Sequence, residues 1–316
     1  MKQVLILFIF GFSLIGNAQN SQDTVVYTKI YDNPQYFWVG GGASYDLSLN
    51  QYNMTLLAFG LDATVMHPKF SLNLYSRYHL GERLTNYGTN GQPRAESVYE
   101  KEHSRDISFL GSYYLSSNIE EIEQTYTLKQ AGNASYVTSI PTLMDTRFGV
   151  DLGISGGFTY YNFGDATLDG IDSEGTKVTL SSQDENKAIT TYFTQKVLRV
   201  GLSRVRATDA RINTDLYGKK ELKDYSKLYI HGLLGFGQSI DDILIGSNYY
   251  RFDINTNMRW LPYGFAMGFE SYSINSSKNL GTSWIAEFGL MPGPFESYFN
   301  NFYLDLKLRF HYGKSL

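Results

Sequence analysis

Cysteine is absent from this chain. Disulfides, zinc–thiolate sites, thiol nucleophiles and dithiol redox chemistry are therefore excluded, and 316 residues must hold together by packing and pairing. Proline is sparse, at seven, and no Pro-rich linker or internal repeat divides the sequence. Basic charge is not in excess: Lys and Arg number 27 against 31 acids, so the basic stripe expected for nucleic acid is missing. Past the N-terminus, no segment approaches the ~18 unbroken apolar residues of a membrane helix. The glycine clusters "GISGG" at 153–157 and "GLLGFG" at 232–237 lack the spacing and the helix of a nucleotide loop. No cofactor is expected.

What is present begins with MKQVLILFIFGFSLIGNAQN. Lys2, the apolar stretch Val4–Ile15 and the small-x-small run Gly16-Asn17-Ala18 form the pattern of a cleaved export signal, which predicts removal of residues 1–18. Lys2 is the only charge in it, so the remainder is one unit more acidic than the full chain's −4. Tyr (26), Phe (20) and Gly (30) are abundant, while mean hydropathy is only −0.27. An exported chain that is polar on average yet rich in rings and glycine suits many strands with one apolar face each.

Alternation with a period of two runs from end to end. Near the C-terminus Phe302, Leu304, Leu306, Leu308, Phe310 and Tyr312 share one face, and Tyr303, Asp305, Lys307, Arg309 and His311 share the other. Such patterning predicts antiparallel β-structure with two chemically distinct faces. Twelve strands are expected, with a range of 10–14: 36–49, 54–66, 69–83, 105–116, 120–130, 144–162, 188–205, 225–238, 248–260, 262–273, 282–291 and 299–312. Residues 19–35 read as a lead-in and 36–316 as a single domain. Long polar stretches at 85–104 and 206–224 are expected on the outer side, which leaves 164–187 on the periplasmic side.

Alternation does not say which face is inside. A secreted soluble barrel or sandwich would bury the apolar face; a transmembrane β-barrel would turn it to lipid. Strand length favours the membrane, since a tilted strand needs ~9–11 residues to cross and soluble strands average ~5–6. Rings near strand ends (Tyr36 to Trp38, Tyr160 and Tyr161, Tyr249 and Tyr250, Tyr298 and Phe299) suit headgroup-level girdles. The final strand, Phe302 to Tyr312, resembles the C-terminal strand of Gram-negative outer-membrane β-barrel proteins, although "GKSL" follows the last ring. That resemblance implies an outer-membrane location, recognition of this strand by the barrel-insertion machinery, and outer-membrane lipid as the surrounding partner. An accessory protein partner fits the same class.

With lipid outside, the lumen would receive Asp62, Arg77, Arg147, Asp151, Arg251, Asp253, Arg259, Glu270, Glu287, Asp305, Lys307 and Arg309. Six acids among six bases predict pairing networks rather than the single-sign ring of an ion-selective pore. Transport and structural roles both remain open at this point. Catalytic and metal patterns fail. His231 has Leu233, not serine, two residues on, and His103–Ser104 would face opposite sides of a strand. His79 near Glu82 is ordinary loop polarity, so an embedded hydrolase is the weaker alternative and no enzyme is expected. The acidic run through Asp165, Asp169, Asp172 and Glu174 misses the calcium-loop register, and no metal site is predicted.

Overall fold

Starting at Arg206, partners can be followed strand to strand through Ser226, Ser271, Trp284, Leu308, Ala43, Phe59, Tyr78, Arg105 and Phe158 to Thr194. Arg206 and Thr194 lie on the same strand, so the sheet has closed on itself. The walk returns about twelve residues from its start, a stagger that in a ring of ten strands tilts them by roughly 40°.

The computed structural model describes residues 27–31, 36–48, 58–79, 105–131, 134–162, 167–181, 189–245, 248–252, 261–275, 280–293 and 302–315. Its strands are β1 Tyr27–Tyr31, β2 Tyr36–Ser48, β3 Ala58–Met66, β4 Phe70–His79, β5 Arg105–Ala131, β6 Ala134–Asn162, β7 Thr167–Ile171 and β8 Lys177–Ser181. Then follow β9 Ile189–Thr214, β10 Gly218–Ile240, β11 Ile243–Ile245, β12 Asn248–Phe252, β13 Tyr263–Asn275, β14 Leu280–Leu290 and β15 Phe302–Ser315. Among the described residues the ring is β2-β3-β4-β5-β6-β9-β10-β13-β14-β15, antiparallel throughout.

Burial is inverted. Leu61 (71% exposed), Leu202 (61%) and Leu308 (55%) look outward, while Arg147 and Asp151 are wholly buried. A soluble sandwich or barrel requires the opposite, and the reading of a transmembrane-type barrel holds. On β6 the outward apolar row runs from Phe148 to Phe158. At ~3.3 Å per residue and the tilt above, that is roughly 25 Å of height, the thickness of a bilayer's apolar band. Outward rings mark both borders: Phe70, Tyr113 and Tyr312 at one, Phe59, Tyr78 and Tyr263 at the other.

The two ends of the barrel differ. At one, the links between ring strands are 67–69, 132–133, 215–217 and 276–279, and β2 begins and β15 ends there; we call it the turn end. The hairpin at 67–69 is closed by His67 and Phe70 bonding each other's backbone (2.8 and 3.3 Å). At Gly218, a φ of +68° lets β10 leave its turn, and the Thr214 hydroxyl donates to the Gly218 carbonyl (2.9 Å). The opposite, loop end carries 49–57, 80–104, 163–188, 241–262 and 291–301.

Several boundaries differ from expectation. Segments 105–116 and 120–130 are one strand, β5, with a register shift between Tyr114 and Ser116. Residues 206–224 are not a loop but the paired ends of β9 and β10, at the opposite end from 80–104. The stretch 164–187 shares the loop end with 80–104 and contains the β7–β8 hairpin. Only Asn248–Phe252 of the expected strand 248–260 is described; it pairs with β11 and β7, outside the ring. The lead-in contains a strand, β1, paired along Ala210 to Thr214 of β9.

Beyond the turn-end border, β5 and β6 run on as a two-stranded hairpin, and β9 and β10 run on beside β1. The two layers pack through Tyr126, Leu128 and Ile140 against Ala210 and Ile212, with Tyr217 at the edge. A small β-sandwich with its own apolar core therefore projects from the barrel.

Candidate functional site

A ten-stranded ring is slightly wider than the eight-stranded barrel that side chains can just fill. This chain fills the extra width with its largest side chains. Inward residues along β10 read Tyr225, Lys227, Tyr229, His231, Leu233: apolar, then polar, then apolar. The same order holds on β9, from Val205 through Ser203 and Arg199 to Val197. The interior is thus a charged band between two apolar layers.

At the turn end, Trp38, Met66, Tyr114, Val205, Ala207, Tyr225 and Tyr272 pack together. They come from β2, β3, β5, β9, β10 and β13, so opposite walls meet across the bore. Trp38 lies 4.9 Å from Tyr272 and 6.0 Å from Tyr225, ring centre to ring centre. Towards the loop end Val197, Leu233 and Ala266 form the second layer, with Met291 and Tyr303 against it.

Between the layers, charges pair across the bore. Arg199 on β9 holds Glu287 on β14 through two bonds (2.9 and 3.1 Å), and Tyr229 and Tyr303 donate to the same carboxylate (2.6 and 2.7 Å). Lys227 reaches Asp151 at 2.7 Å and the Ser112 hydroxyl at 2.9 Å; Ser203 donates to Asp151, and His231 Nε2 lies 2.9 Å from it. Arg77 joins Asp106 (2.6 Å) to Asp305 (3.0 Å), and Lys307 pairs with Asp305. Arg309 lies 3.5 Å from Asp62 and, with Lys307, over the Tyr75 ring. That ring fits because Gly60 faces it: a methyl there would sit 2.6 Å from the ring edge. Arg147 pairs with Asp145 (2.6 Å) and stacks on Tyr114.

Of the twelve lumen candidates, nine (Asp62, Arg77, Arg147, Asp151, Glu270, Glu287, Asp305, Lys307 and Arg309) lie on ring strands; six of these form the ion pairs just given across neighbouring or opposite walls, while Lys307 pairs within β15 and Arg147 within β6. Glu270 borders the interior cavity described below. Arg251 is a correction: it is exposed on β12, outside the ring, because that strand joins the side sheet with β7. Asp253 and Arg259 lie outside the described residues. The lumen set read from the sequence lacks Asp106, Arg199 and Lys227. Arg199 and Lys227 occupy inward positions of strands whose outward rows, Val200 and Leu202, Leu228 and Ile230, were legible as alternation.

Two constellations resemble catalytic sets. His311 Nε2 contacts the Ser283 hydroxyl, and its Nδ1 lies 3.8 Å from Asp62. Ser283 is buried, the 3.8 Å separation is too long for an orienting hydrogen bond, and the adjacent backbone is committed to the β14–β15 ladder. Around Asp151, Ser203 and His231 each bond the carboxylate rather than each other, which is not the serine–histidine–acid order of a triad. His79, Glu82 and His103 lie outside the described residues or have undescribed side chains. In the acidic run, the Asp172 carboxylate accepts the amides of Glu174 and Thr176 (2.9 and 2.8 Å), an ordinary turn. Among the other arginines of β9, Arg204 (over the Phe148 ring) and Arg206 face outward at the border, and Arg211 lies 3.7 Å from Glu221.

A cavity of about 10 Å³ remains beside Lys227 and Glu270, lined also by Trp38, Ser112, Tyr225 and Tyr272. It has room for about one water molecule.

No protein-family model matches the chain, and no curated protein matches it. Solved structures similar to it are outer-membrane β-barrels. The monoaromatic hydrocarbon channel TodX (deltaS2S3 mutant) is 9% identical, with 90% of this chain and 91% of that one covered and a TM-score of 0.21. CymD, also a monoaromatic hydrocarbon channel, gives 9%, 89%, 88% and 0.21. OprB of Pseudomonas putida gives 10%, 91%, 94% and 0.20. With scores this low, the assignment of this chain to the transmembrane-barrel class rests on its own ring closure and inverted burial.

Proposed function

We propose that this is an outer-membrane barrel of structural, scaffold type, closed to solutes, whose working part is the sandwich at the turn end. The observation that carries this reading is the filling of the bore among the described residues: two apolar layers lie on either side of a band of paired charges. Charge rings that pass ions are of one sign and face open water; here acids and bases face each other. Short links and both ends of the ring at the turn end match the periplasmic side of such barrels, so the sandwich belongs in the periplasm and the long links outside. Outer-membrane lipid surrounds the ring, and the insertion machinery recognises β15. Export follows from cleavage after Ala18, which N-terminal sequencing of the mature protein tests: it should begin at Gln19. No catalytic step is assigned to the buried Ser283 or His231.

Planar-bilayer recording tests the reading directly. The natural chain should give no steady conductance, and Trp38→Ala combined with Tyr272→Ala should raise the frequency of openings by emptying the turn-end layer. Steady conductance from the natural chain would replace the scaffold reading with a transport one.

A further inference from the structure

The outward face of the wall is not uniform. Among the described side chains, four exposed cations stand at outward positions of ring strands: Arg105 and Lys196 near the loop end, Arg204 and Arg206 at the turn-end border. All four lie on β5 and β9, the two strands that flank β6. The outward rows of β2, β3, β4, β13 and β14 carry none. Cations that only anchored the barrel would be spread around its circumference; these are confined to one sector.

Within that sector, Arg204 and Arg206 converge. They share one face of β9, two residues and so about 7 Å apart. Arg105 and Lys196, by contrast, are separated by β6, opposite Phe158 and Gly156. The neighbours of the arginine pair are neutral. Arg204 lies between Phe148 and Leu228, and Arg206 between Thr146 and Ser226. Neither has an ion-pair partner among the described residues. The carboxyl groups nearer the turn end are already bonded, Asp224 by Ser273 and Glu120 by Asn118 (2.6 Å). Two like charges thus stand side by side on the wall with no protein acid between them. The Phe148 ring, 5.5 Å from the Arg204 guanidinium, holds that group against the wall.

Guanidinium forks suit phosphate oxygens, which they bind through paired charge-assisted hydrogen bonds. Towards the middle of the wall the pair adjoins exposed Phe148, Leu202 and Leu228; Ser226 stands beside Arg206 on the turn-end side. Charge at the border and hydrocarbon towards the middle is the order of groups within a phospholipid itself.

We propose that Arg204 and Arg206 bind the phosphate of an anionic phospholipid, whose acyl chains lie along Phe148, Leu202 and Leu228. The proposal rests on the wall standing in lipid, but not on whether the bore is closed.

The full-length protein in mild detergent would be offered equal amounts of phosphatidylglycerol and phosphatidylcholine with identical acyl chains. Native mass spectrometry would weigh the lipid that each barrel retains, and heat-modifiable gel migration would report that each barrel is folded. An arginine beside an anionic headgroup contributes about a fivefold preference, so the natural chain should favour phosphatidylglycerol by about 25-fold at low salt. Arg204→Gln or Arg206→Gln alone should reduce this to about fivefold, and the two together to parity. Arg105→Gln combined with Lys196→Gln should leave the preference unchanged. Equal retention of both lipids by the natural chain would overturn the proposal, as would an undiminished preference in the Arg204/Arg206 double variant. So would loss of the preference in the Arg105/Lys196 variant, or displacement of the lipid by inorganic phosphate alone. Conductance of the same protein reads the scaffold proposal separately, so the two can fail independently.

Discussion

The barrel wall and the sandwich are built from the same strands by opposite rules. On β9, Val200 and Leu202 face out while Arg199 and Ser203 are turned inward; a few residues on, Ala210 and Ile212 are buried and Asn213 is exposed. The change takes place through four consecutive buried residues, Ala207 to Ala210. On β6 it occurs at Thr146 and Arg147, both buried, and on β5 at the register shift after Tyr114. Only β5 shifts its register there; β6 and β9 keep unbroken register with each other, and their even-numbered rows, exposed in the ring, become covered in the sandwich, while β10 keeps one set buried from Lys223 to Leu233. Composition therefore does not decide which face is buried. The surrounding medium does: hydrocarbon around the ring, water around the sandwich.

The largest expected effect lies in the wall's interior. Glu287→Ala removes the acceptor of four hydrogen bonds and leaves Arg199 buried without its partner, which should cost about 3–5 kcal/mol. Urea unfolding in liposomes measures this, and a loss below about 1 kcal/mol would mean that water reaches the bore. Next comes the wall's exterior. Leu306→Arg faces lipid midway along β15 and should cost about 2–4 kcal/mol, read as failure of heat-modifiable folding. Were the wall solvated, that substitution would pass almost unnoticed.

A smaller effect tests whether the sandwich is a separate unit. Ile140→Val removes one methyl from its core and should cost about 0.5–1.5 kcal/mol. The loss should be confined to the hairpin: faster protease cleavage within 116–144, with the barrel's gel migration unchanged. Equal destabilisation of both regions would merge them into one cooperative body.

The sequence made the wall legible and concealed the sandwich, for one physical reason. Each outward row in the ring is apolar and each inward row polar, so ring strands such as β3, β4, β14 and β15 could be read to within a few residues. The expected breaks at 116, 144 and 205 all fall at the border where burial passes from one face of the strand to the other. A row that is apolar against lipid and then polar beyond the border looks like a strand end when the medium is unknown, so 206–224 read as loop, and the register shift on β5 made it read as two strands. Pairing of opposite charges was foreseeable from the balance of acids and bases, but partners such as Arg199 and Glu287 come from strands far apart in the chain. Only closure of the ring brings them together. Arg251 was misplaced because it stands opposite Phe252 in the alternation of an expected wall strand, whereas β12 lies against β11 and β7.

The smallest effect makes the sharpest use of the comparison. Thr125 on β5 and Leu152 on β6 are both exposed, and β5 and β6 pair with each other along their whole length. Thr125 lies opposite Ser139 in the sandwich, and Leu152 lies opposite Gly111 in the wall. An arginine at Thr125 keeps its charge in water and should change stability by less than about 0.5 kcal/mol. An arginine at Leu152 must lie in hydrocarbon or bend the bilayer to reach water, at about 2–4 kcal/mol near the midplane. Strand pairing, exposure and the incoming side chain are held nearly constant, so the difference between the two measurements isolates the medium. If it is close to zero, no border between lipid and water lies between Tyr113 and Thr125, and the division of this molecule into an inverted wall and a conventional sandwich is wrong.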